Sequence, residues 1–303
     1  MNLFSPLLFP VRLENKKIIV LDETKLPFVE DYIEIDSLDK ALWVLESMKT
    51  RSFGQVLIFF YSCVMFSDSF PLDYITDEFV RRRPTFDFPK LSNILRGGLK
   101  EGKNLEEVVN EFIERFDLLR KKRAKELAKI LPLSANILTI CNVNGELIYL
   151  YQALKECGKE AVFFISETRP YLQGTRLTFW ELSRNSIPCK LLCDNQVAYL
   201  LLKGEINCIV SGADRANLRG DIINKIGTYA LARLAKYFRI PLYVFTCYPS
   251  DIDIKNIIIE ERPEEEVFMF IPKKQIFIDS IYPSFDIVEA EYITKKLEIS
   301  KYQ

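Results

Sequence analysis

The spacing of hydrophobic residues changes near residue 131 and divides the chain into two parts. In the first part, residues 37–48 and 87–130 carry apolar side chains at intervals of three and four, the spacing of amphipathic helices. Residues 11–21 alternate about a polar turn at Asn15-Lys16, which predicts a β-hairpin. We therefore predict that the first part combines a β-hairpin with helices, and that 87–130 forms one long helix.

After Leu131-Pro132, short apolar runs alternate with segments of helical spacing. Strands buried on both faces are apolar throughout, and their alternation with helices is typical of a parallel sheet covered by helices. The predicted strands are 136–140, 161–165, 189–192, 206–210 and 242–246, and the predicted helices are 146–157, 172–185, 196–203 and 223–238. The fold class is therefore α/β: a Rossmann-like parallel sheet domain, residues 126–303, preceded by a smaller N-terminal domain of β-hairpin plus helices, residues 1–125.

Composition narrows the possible partners. The chain has 303 residues and a net charge of -1, from 41 basic and 42 acidic residues, so it has no global attraction to nucleic acid or to an anionic membrane. The longest apolar run, residues 55–66, is too short to span a bilayer and predicts a buried helix. The N-terminus has no basic segment before its apolar residues, and the seven cysteines have no regular spacing. We expect no signal peptide, no membrane association and a cytoplasmic location.

The chain has no histidine, which excludes histidine bases, histidine metal ligands and Ser-His-Asp triads. Cys189 and Cys193 offer only a C-x3-C spacing, so we expect no metal site. No G-x-G-x-x-G turn follows the first predicted strand, which argues against a dinucleotide, and we expect no cofactor. Acid–base chemistry must come from Asp, Glu, Cys, Lys or Tyr.

Ligands of open α/β sheets bind beyond the carboxyl ends of the strands, so the residues that follow each predicted strand are candidates. Cys141 follows the first strand; it is either a small core residue or a thiol whose pKa is lowered by a helix N-terminus. Asp214 follows the fourth strand. It is a helix cap, an ion-pair partner of Arg215, or a partly buried proton carrier with a raised pKa.

Several basic and amide side chains are candidates for an anion site. Gln173 lies at a predicted helix start with Arg169 and Arg176, whose alternative role is in salt bridges between domains. Asn224-Lys225 also lies at a predicted helix start. The turn at Arg83-Pro84-Thr85 is a further possible phosphate clamp, unless its arginines are simply solvated.

Two long motifs resemble the signature of the methylthioribose-1-phosphate isomerases. They are Glu167-Thr168-Arg169-Pro170-x-x-Gln173-Gly174-x-Arg176-Leu177-Thr178 and Gly212-Ala213-Asp214-Arg215, the second followed by Gly220-Asp221-x-x-Asn224-Lys225-Ile226-Gly227-Thr228. The resemblance runs nearly end to end. The wider superfamily includes ribose-1,5-bisphosphate isomerases and the regulatory subunits of translation initiation factor 2B.

This resemblance implies an aldose–ketose isomerisation of methylthioribose 1-phosphate in methionine salvage, without metal or nucleotide. It implies that Cys141 and Asp214 are catalytic, through either a proton or a hydride shift between C2 and C1. It also implies a homodimer and a set of substrate contacts at Arg51, Arg83, Gln173, Asn224 and Lys225.

The chain departs from the family pattern near the predicted pocket. The family has Gly-Ala after its first arginine, whereas this chain has Ser52-Phe53 after Arg51, and these bulkier residues narrow the expected phosphate cradle. Two alternatives therefore stay open: an isomerase of a related sugar phosphate, such as ribose 1,5-bisphosphate or 5-deoxyribose 1-phosphate, and a non-catalytic regulatory protein similar to initiation factor 2B.

Overall fold

The computed structural model describes residues 3–84, 86–257, 259–271 and 280–299. The chain divides into two compact units, Ser5–Leu119 and Met1–Phe4 with Arg120–Gln303. The division falls within a helix, a few residues before the boundary that the sequence pattern predicts at residue 125.

The first unit contains a three-stranded antiparallel sheet, made of β1 (Val11–Glu14), β2 (Lys17–Leu21) and β3 (Tyr32–Ile35). The predicted hairpin is confirmed as β1–β2. Asn15 and Lys16 have φ of 50° and 58°, the left-handed pair that a two-residue turn needs to match the strand twist. The third strand was not predicted.

Five α-helices begin in the described part of this unit. They are α1 (Leu38–Glu46), α2 (Phe53–Phe66), α3 (Leu72–Arg82), α4 (Phe88–Lys100) and α5 (Leu105–Ile130). Ser37 caps α1, since its side chain accepts a hydrogen bond from the Lys40 N–H. The buried helix expected at residues 55–66 is also confirmed as most of α2.

The single helix predicted over 87–130 is wrong, because the chain breaks between α4 and α5. Gly102 adopts φ +85°, where other residues are strained. Asn104 then caps α5: its side chain accepts from the Glu107 N–H at 2.9 Å, and the Glu107 carboxylate accepts from the Asn104 N–H at 2.9 Å. Apolar spacing continues across this break, so spacing alone did not show it.

The second unit is built on a six-stranded parallel sheet. Its strands are β4 (Ser134–Thr139), β5 (Glu160–Ser166), β6 (Cys189–Leu192), β7 (Cys208–Gly212), β10 (Leu242–Cys247) and β12 (Lys295–Ile299). A separate three-stranded antiparallel sheet contains β8 (Arg215–Ala216), β9 (Ile222–Lys225) and β11 (Phe285–Val288). The α/β class and the five predicted parallel strands are confirmed; β12 and the small sheet were not predicted.

Helices lie on both faces of the parallel sheet. They are α6 (Glu146–Glu156), a π-helix over Gly174–Phe179 that continues as α7 (Trp180–Arg184), α8 (Val197–Leu202) and α9 (Thr228–Phe238). Phe163 and Phe164 are neighbours in β5 and therefore point to opposite faces. Phe164 packs in the cluster that contains residues of α8 and α9, whereas the Phe163 ring lies 6.4 Å from that of Tyr151 in α6.

The helix predicted over 223–238 begins later than expected. Residues Ile222–Lys225 form strand β9, which pairs antiparallel with β11, and the helix starts only at Thr228. Gly227 has φ +100° and separates the two elements. The prediction that Asn224-Lys225 starts a helix is therefore wrong. The partner strand β11 follows much later in the chain, so local sequence did not show the pairing.

In the described part of the chain, no helix combines the length and the apolar character that a bilayer span requires.

Candidate active site

The parallel sheet has a topological switch point between β4 and β7. From β4 the chain moves outward through β5 and β6, then returns to the other side of β4 with β7 and continues to β10 and β12. Such a reversal opens a crevice beyond the carboxyl ends of the two central strands, where ligands of this fold bind. Cys141 follows β4, and Asp214 follows β7.

The strand register places these two segments side by side. Leu138 of β4 pairs with Ile209 of β7. Cys141 comes three residues after Leu138, and Gly212 comes three after Ile209, so Asp214 leaves the same edge of the sheet just beyond Cys141. A Cβ built on Gly212 lies 3.5 Å from Val143, in the loop after Cys141.

Cys141 has a left-handed backbone, with φ 61°, and is partly exposed. Its N–H donates to the Thr168 hydroxyl at 2.8 Å. Its carbonyl accepts from the Thr178 hydroxyl at 2.6 Å. Both threonines are buried. Neither threonine was predicted from the sequence to be functional, although both lie within the family motif.

Asp214 is exposed to solvent, so the prediction that its carboxyl is partly buried is wrong. Its N–H donates to the carbonyl of Ile223 at 2.9 Å. The element that follows is strand β8 rather than a helix, which also removes the predicted role as a helix cap. The chain turns into β8 immediately after β7, and this tight turn leaves the Asp214 side chain at the surface of the carboxyl edge.

Gln173 is 3% exposed and immediately precedes the π-helix. Its Oε1 is buried, and no donor among the described residues reaches it. The π-helix packs tightly on the end of β5, since a Cβ on Gly174 would lie 1.8 Å from the Ser166 carbonyl oxygen. A buried acceptor without a donor is costly, which favours a ligand that donates a hydrogen bond to Gln173.

Asn224 and Lys225 are both buried, although they lie in β9 rather than in a helix. Asn224 donates to the Thr228 hydroxyl at 2.9 Å, and the Lys225 ammonium lies 4.8 Å from the centre of the Phe285 ring. The turn after them reaches β4, since a Cβ on Gly227 would lie 3.1 Å from the side chain of Ile140. Gly227, two residues after Lys225, is therefore close to the strand end that carries Cys141.

Asp286 caps the helix that follows this turn. Its carboxylate accepts from the Gly227 N–H at 2.6 Å and from the Tyr229 N–H at 3.0 Å. Burial raises the pKa of Asp286, and the two backbone hydrogen bonds oppose the shift. The backbone partners of Asp286 lie almost sixty residues earlier in the chain.

Two arginines in the predicted anion site bind to their own unit. Arg169 donates to the carbonyl of Val267 at 2.7 Å and stacks on Phe270, with 5.4 Å to the ring centre. Arg176 lies 4.4 Å from the centre of the Tyr171 ring. These contacts order the loop after β5.

Arg51 and Arg83 belong to the unit Ser5–Leu119. Arg51 is half-buried just before α2, and Arg83 ends α3 with its N–H donating to the carbonyl of Phe79. Thr85 of the same predicted clamp lies outside the described residues. That either arginine binds the ligand of Cys141 and Asp214 stays a prediction.

The bulky residue after Arg51 is accommodated inside the first unit. Phe53 is buried, and its ring stacks on that of Phe116 with 4.6 Å between centres and contacts Phe9 edge-on. This ring is therefore part of a helical core. Among the described residues, no three histidine, cysteine or carboxylate side chains are grouped as metal ligands would be.

The initiation factor 2 subunit family model matches residues 96–297, about two thirds of the chain. The chain belongs to this family. It is 34% identical over 306 residues to a methylthioribose-1-phosphate isomerase of Aquifex aeolicus, a match that covers 94% of the chain and 66% of that relative. It is 33% identical to the enzyme of the same name from Caldicellulosiruptor saccharolyticus, covering 93% of the chain and 92% of the relative.

Two solved structures are similar over nearly the whole chain. The 5-methylthioribose 1-phosphate isomerase of Pyrococcus horikoshii superposes with a TM-score of 0.79 at 25% identity, covering 98% of this chain and 94% of that one. Subunit delta of translation initiation factor eIF-2B from A. fulgidus superposes with a TM-score of 0.75 at 26% identity, and the match covers 95% of this chain and 93% of that one. The chain is thus similar in structure both to an enzyme and to a translation factor subunit.

Proposed function

We propose that the protein is an aldose–ketose isomerase that converts methylthioribose 1-phosphate into methylthioribulose 1-phosphate. The observation that carries the proposal is the place of Cys141 and Asp214, which follow the two strands flanking the switch point. A thiol and a carboxyl at one sheet edge can exchange protons with one small ligand. The identity of one third to relatives of that name supports this substrate.

The reaction requires ring opening before isomerisation, because phosphate blocks C1 of the substrate. In the proposed mechanism, Asp214 either donates a proton to the ring oxygen as the bond between that oxygen and C1 breaks, or accepts the proton of the C2 hydroxyl as the ketone forms. The hydrogen on C2 then moves to C1, while the C2 hydroxyl loses its proton and becomes the ketone. The change is internal to the sugar, so its redox balance requires no external oxidant or reductant.

Two routes for the C2 hydrogen stay open, and Cys141 has a different role in each. In the first, the thiolate removes a proton from C2 and a proton is returned to C1. In the second, hydride moves directly from C2 to C1, and Cys141 only shapes an apolar wall that excludes water. Solvent deuterium appears at C1 of the product in the first route and is absent from it in the second.

The proposed substrate contacts in the second unit are buried polar groups. The buried Oε1 of Gln173 is an acceptor for a sugar hydroxyl, and the buried ammonium of Lys225 is a counter-charge for phosphate. Asn224 lies next to Lys225 in β9. Arg51 is a further predicted phosphate ligand on the resemblance alone, and Arg83 is one on the resemblance and on its place in the basic turn Arg83-Pro84-Thr85.

The deciding experiment is phosphorus NMR of methylthioribose 1-phosphate with the purified protein. We expect the ketose 1-phosphate to appear, and Asp214→Asn and Cys141→Ser to reduce turnover at least a hundredfold. Asp251→Asn and Cys157→Ser change an exposed residue of the same type and should retain full activity. No turnover by the folded wild-type protein would contradict this substrate.

A regulatory role is the second candidate, because the likeness to the eIF-2B delta subunit nearly equals that to the isomerase. Presence of both Cys141 and Asp214 favours the enzyme, since a regulator needs neither. If methylthioribose 1-phosphate is not converted, ribose 1,5-bisphosphate and 5-deoxyribose 1-phosphate are the next substrates to test. Stable binding to initiation factor 2 without any turnover would select the regulator.

We also propose a cytoplasmic homodimer associated through the α/β domain. Light scattering of the purified protein gives the mass of the assembly; a mass of one chain at micromolar concentration would contradict the dimer.

A further inference from the structure

The peptide units on both sides of Cys141 are held by side-chain hydroxyls. Thr168, from the loop after β5, accepts from the Cys141 N–H at 2.8 Å. Thr178, from the π-helix, donates to the Cys141 carbonyl at 2.6 Å. Cys141 is thus bonded through its backbone to two elements other than its own strand.

Each threonine hydroxyl donates its single proton to a backbone carbonyl. Thr168 Oγ1 donates to the carbonyl of Ser166 at 3.0 Å, which leaves its lone pair for the Cys141 N–H. Thr178 Oγ1 donates to Cys141 and accepts from the side-chain amide of Asn142 at 3.1 Å. The direction of every bond in this network is therefore determined.

The network holds two residues in a conformation that they disfavour. Cys141 has φ 61° and Thr168 has φ 64°, and the left-handed region is unfavourable for residues with a side chain, most of all for a β-branched one. Thr168 is further held by Asp194, whose carboxylate accepts from its N–H at 2.9 Å. Such conformations persist only where the surroundings determine them, and they are concentrated at functional sites.

Other buried hydroxyls at the same sheet edge make no such bonds. Thr139, two residues before Cys141, and Ser211, at the end of β7, are fully buried, and their hydroxyls have no partner among the described residues. Buried threonine at this edge therefore does not by itself imply a hydrogen bond. This difference makes Thr139 a matched control for the two threonines that hold Cys141.

We propose that Thr168 and Thr178 are positioning residues, which fix the direction of the Cys141 thiol at the switch point. The proposal rests on the proposed function for the catalytic role of Cys141. Without these hydroxyls the backbone relaxes toward negative φ, which turns the Cα–Cβ bond and moves the sulfur. We expect the loss of either hydroxyl to lower the rate of the chemical step and not the affinity for substrate, because neither hydroxyl is a proposed substrate contact.

The test compares Thr168→Val and Thr178→Val, which remove each hydroxyl at nearly constant volume, with Thr168→Ser and Thr178→Ser, which retain it. The first readout is the rate at which iodoacetamide alkylates Cys141, followed by mass spectrometry of its peptide, which requires no activity. We expect the valine variants to change this rate severalfold and to lower kcat about tenfold with KM within about twofold. The serine variants and Thr139→Val should match the wild type.

Valine at position 168 is strained at positive φ, so Thr168→Gly provides a second variant that accepts this backbone without the hydroxyl. Valine or glycine variants with a lower Tm but unchanged alkylation of Cys141 and unchanged kcat would overturn the proposal, since only a structural role would then remain. If the wild type itself shows no turnover, the proposed function fails, while the alkylation rates still decide whether the threonines position the thiol.

Discussion

The buried carboxylate of Glu23 accepts a hydrogen bond from the backbone N–H of Arg51 at 3.1 Å. The same oxygen accepts from the hydroxyl of Thr50. Burial raises the pKa of Glu23 above its ordinary value of 4.5, while the charge of Arg51 and the hydrogen bonds from Thr50 and Arg51 oppose the shift. Glu23 therefore joins the end of β2 to the loop that carries a predicted phosphate ligand.

The raised pKa determines how Glu23 affects stability. Above pH 4.5 the unfolded chain loses this proton while the folded chain retains it, so the folded state loses stability as pH rises toward its own pKa. Glu23→Gln retains an acceptor and cannot ionise. We expect its Tm, measured relative to the wild type, to be higher at about pH 8 than at about pH 4.5. The exposed control Glu126→Gln should show no such trend, and a relative Tm that falls with pH would contradict the prediction.

Ser52 adopts a backbone conformation that glycine accepts more readily than serine. Its φ is 43° and its ψ -111°, and its side chain makes no cap bond to α2. We expect Ser52→Gly to raise the free energy of unfolding by about 1 kcal/mol, since it removes the steric strain of a side chain at positive φ. Denaturant unfolding checks this.

The matched control is Ser67, which ends α2 with φ -65° and ψ -22°. Glycine gains nothing there and loses more entropy on folding, so Ser67→Gly should be destabilising by about 0.5–1 kcal/mol. Equal effects at the two positions would show that backbone strain at Ser52 is not the cause.

The features that could be predicted from the sequence are those determined by residues close together in the chain. The hairpin followed from alternation about Asn15-Lys16, and the parallel strands followed from short apolar runs. Cys141 and Asp214 could be placed at one edge, because the carboxyl ends of parallel strands meet there.

Features that depend on partners far away in the sequence could not be predicted. Strand β9 exists because β11 pairs with it, and Asp286 caps a helix 57 residues earlier in the chain. The exposure of Asp214 likewise follows from the tight turn into β8, which pairs with β9. The left-handed φ of Cys141 depends on hydroxyls 27 and 37 residues away. None of these partners leaves a local signal.

A buried ion pair joins α5 to α6. Arg123 Nε donates to Glu146 at 2.7 Å, and its Nη1 donates to the carbonyl of Thr246 at 2.7 Å, at the carboxyl end of β10. Both side chains are almost fully buried. Arg123→Met leaves the Glu146 charge buried without its partner, so we expect a loss of about 3–5 kcal/mol in unfolding free energy.

Two further sets of variants separate the electrostatic contribution of the Arg123–Glu146 ion pair from its contribution to packing. Adding Glu146→Leu to Arg123→Met should recover part of the loss, because the uncompensated charge is then gone. The exposed pair Lys125–Glu156, at 3.0 Å, is the control, and Lys125→Met should change stability by less than about 1 kcal/mol. A double variant no more stable than Arg123→Met would contradict the electrostatic explanation.

Gly174 links the stability of the fold to the site, because it allows the π-helix to contact the end of β5. A Cβ at this position would lie 1.8 Å from the backbone oxygen of Ser166, which cannot rotate away. We expect Gly174→Ala to cost about 3 kcal/mol or more and to displace the neighbouring Gln173, raising KM for the sugar phosphate. Gly97 in α4 has no atom within 4 Å of the added carbon, so Gly97→Ala should be stabilising by about 0.5–1 kcal/mol. Chemical unfolding measures both changes, and a Gly174→Ala variant with wild-type stability and KM would show that this close contact is not needed.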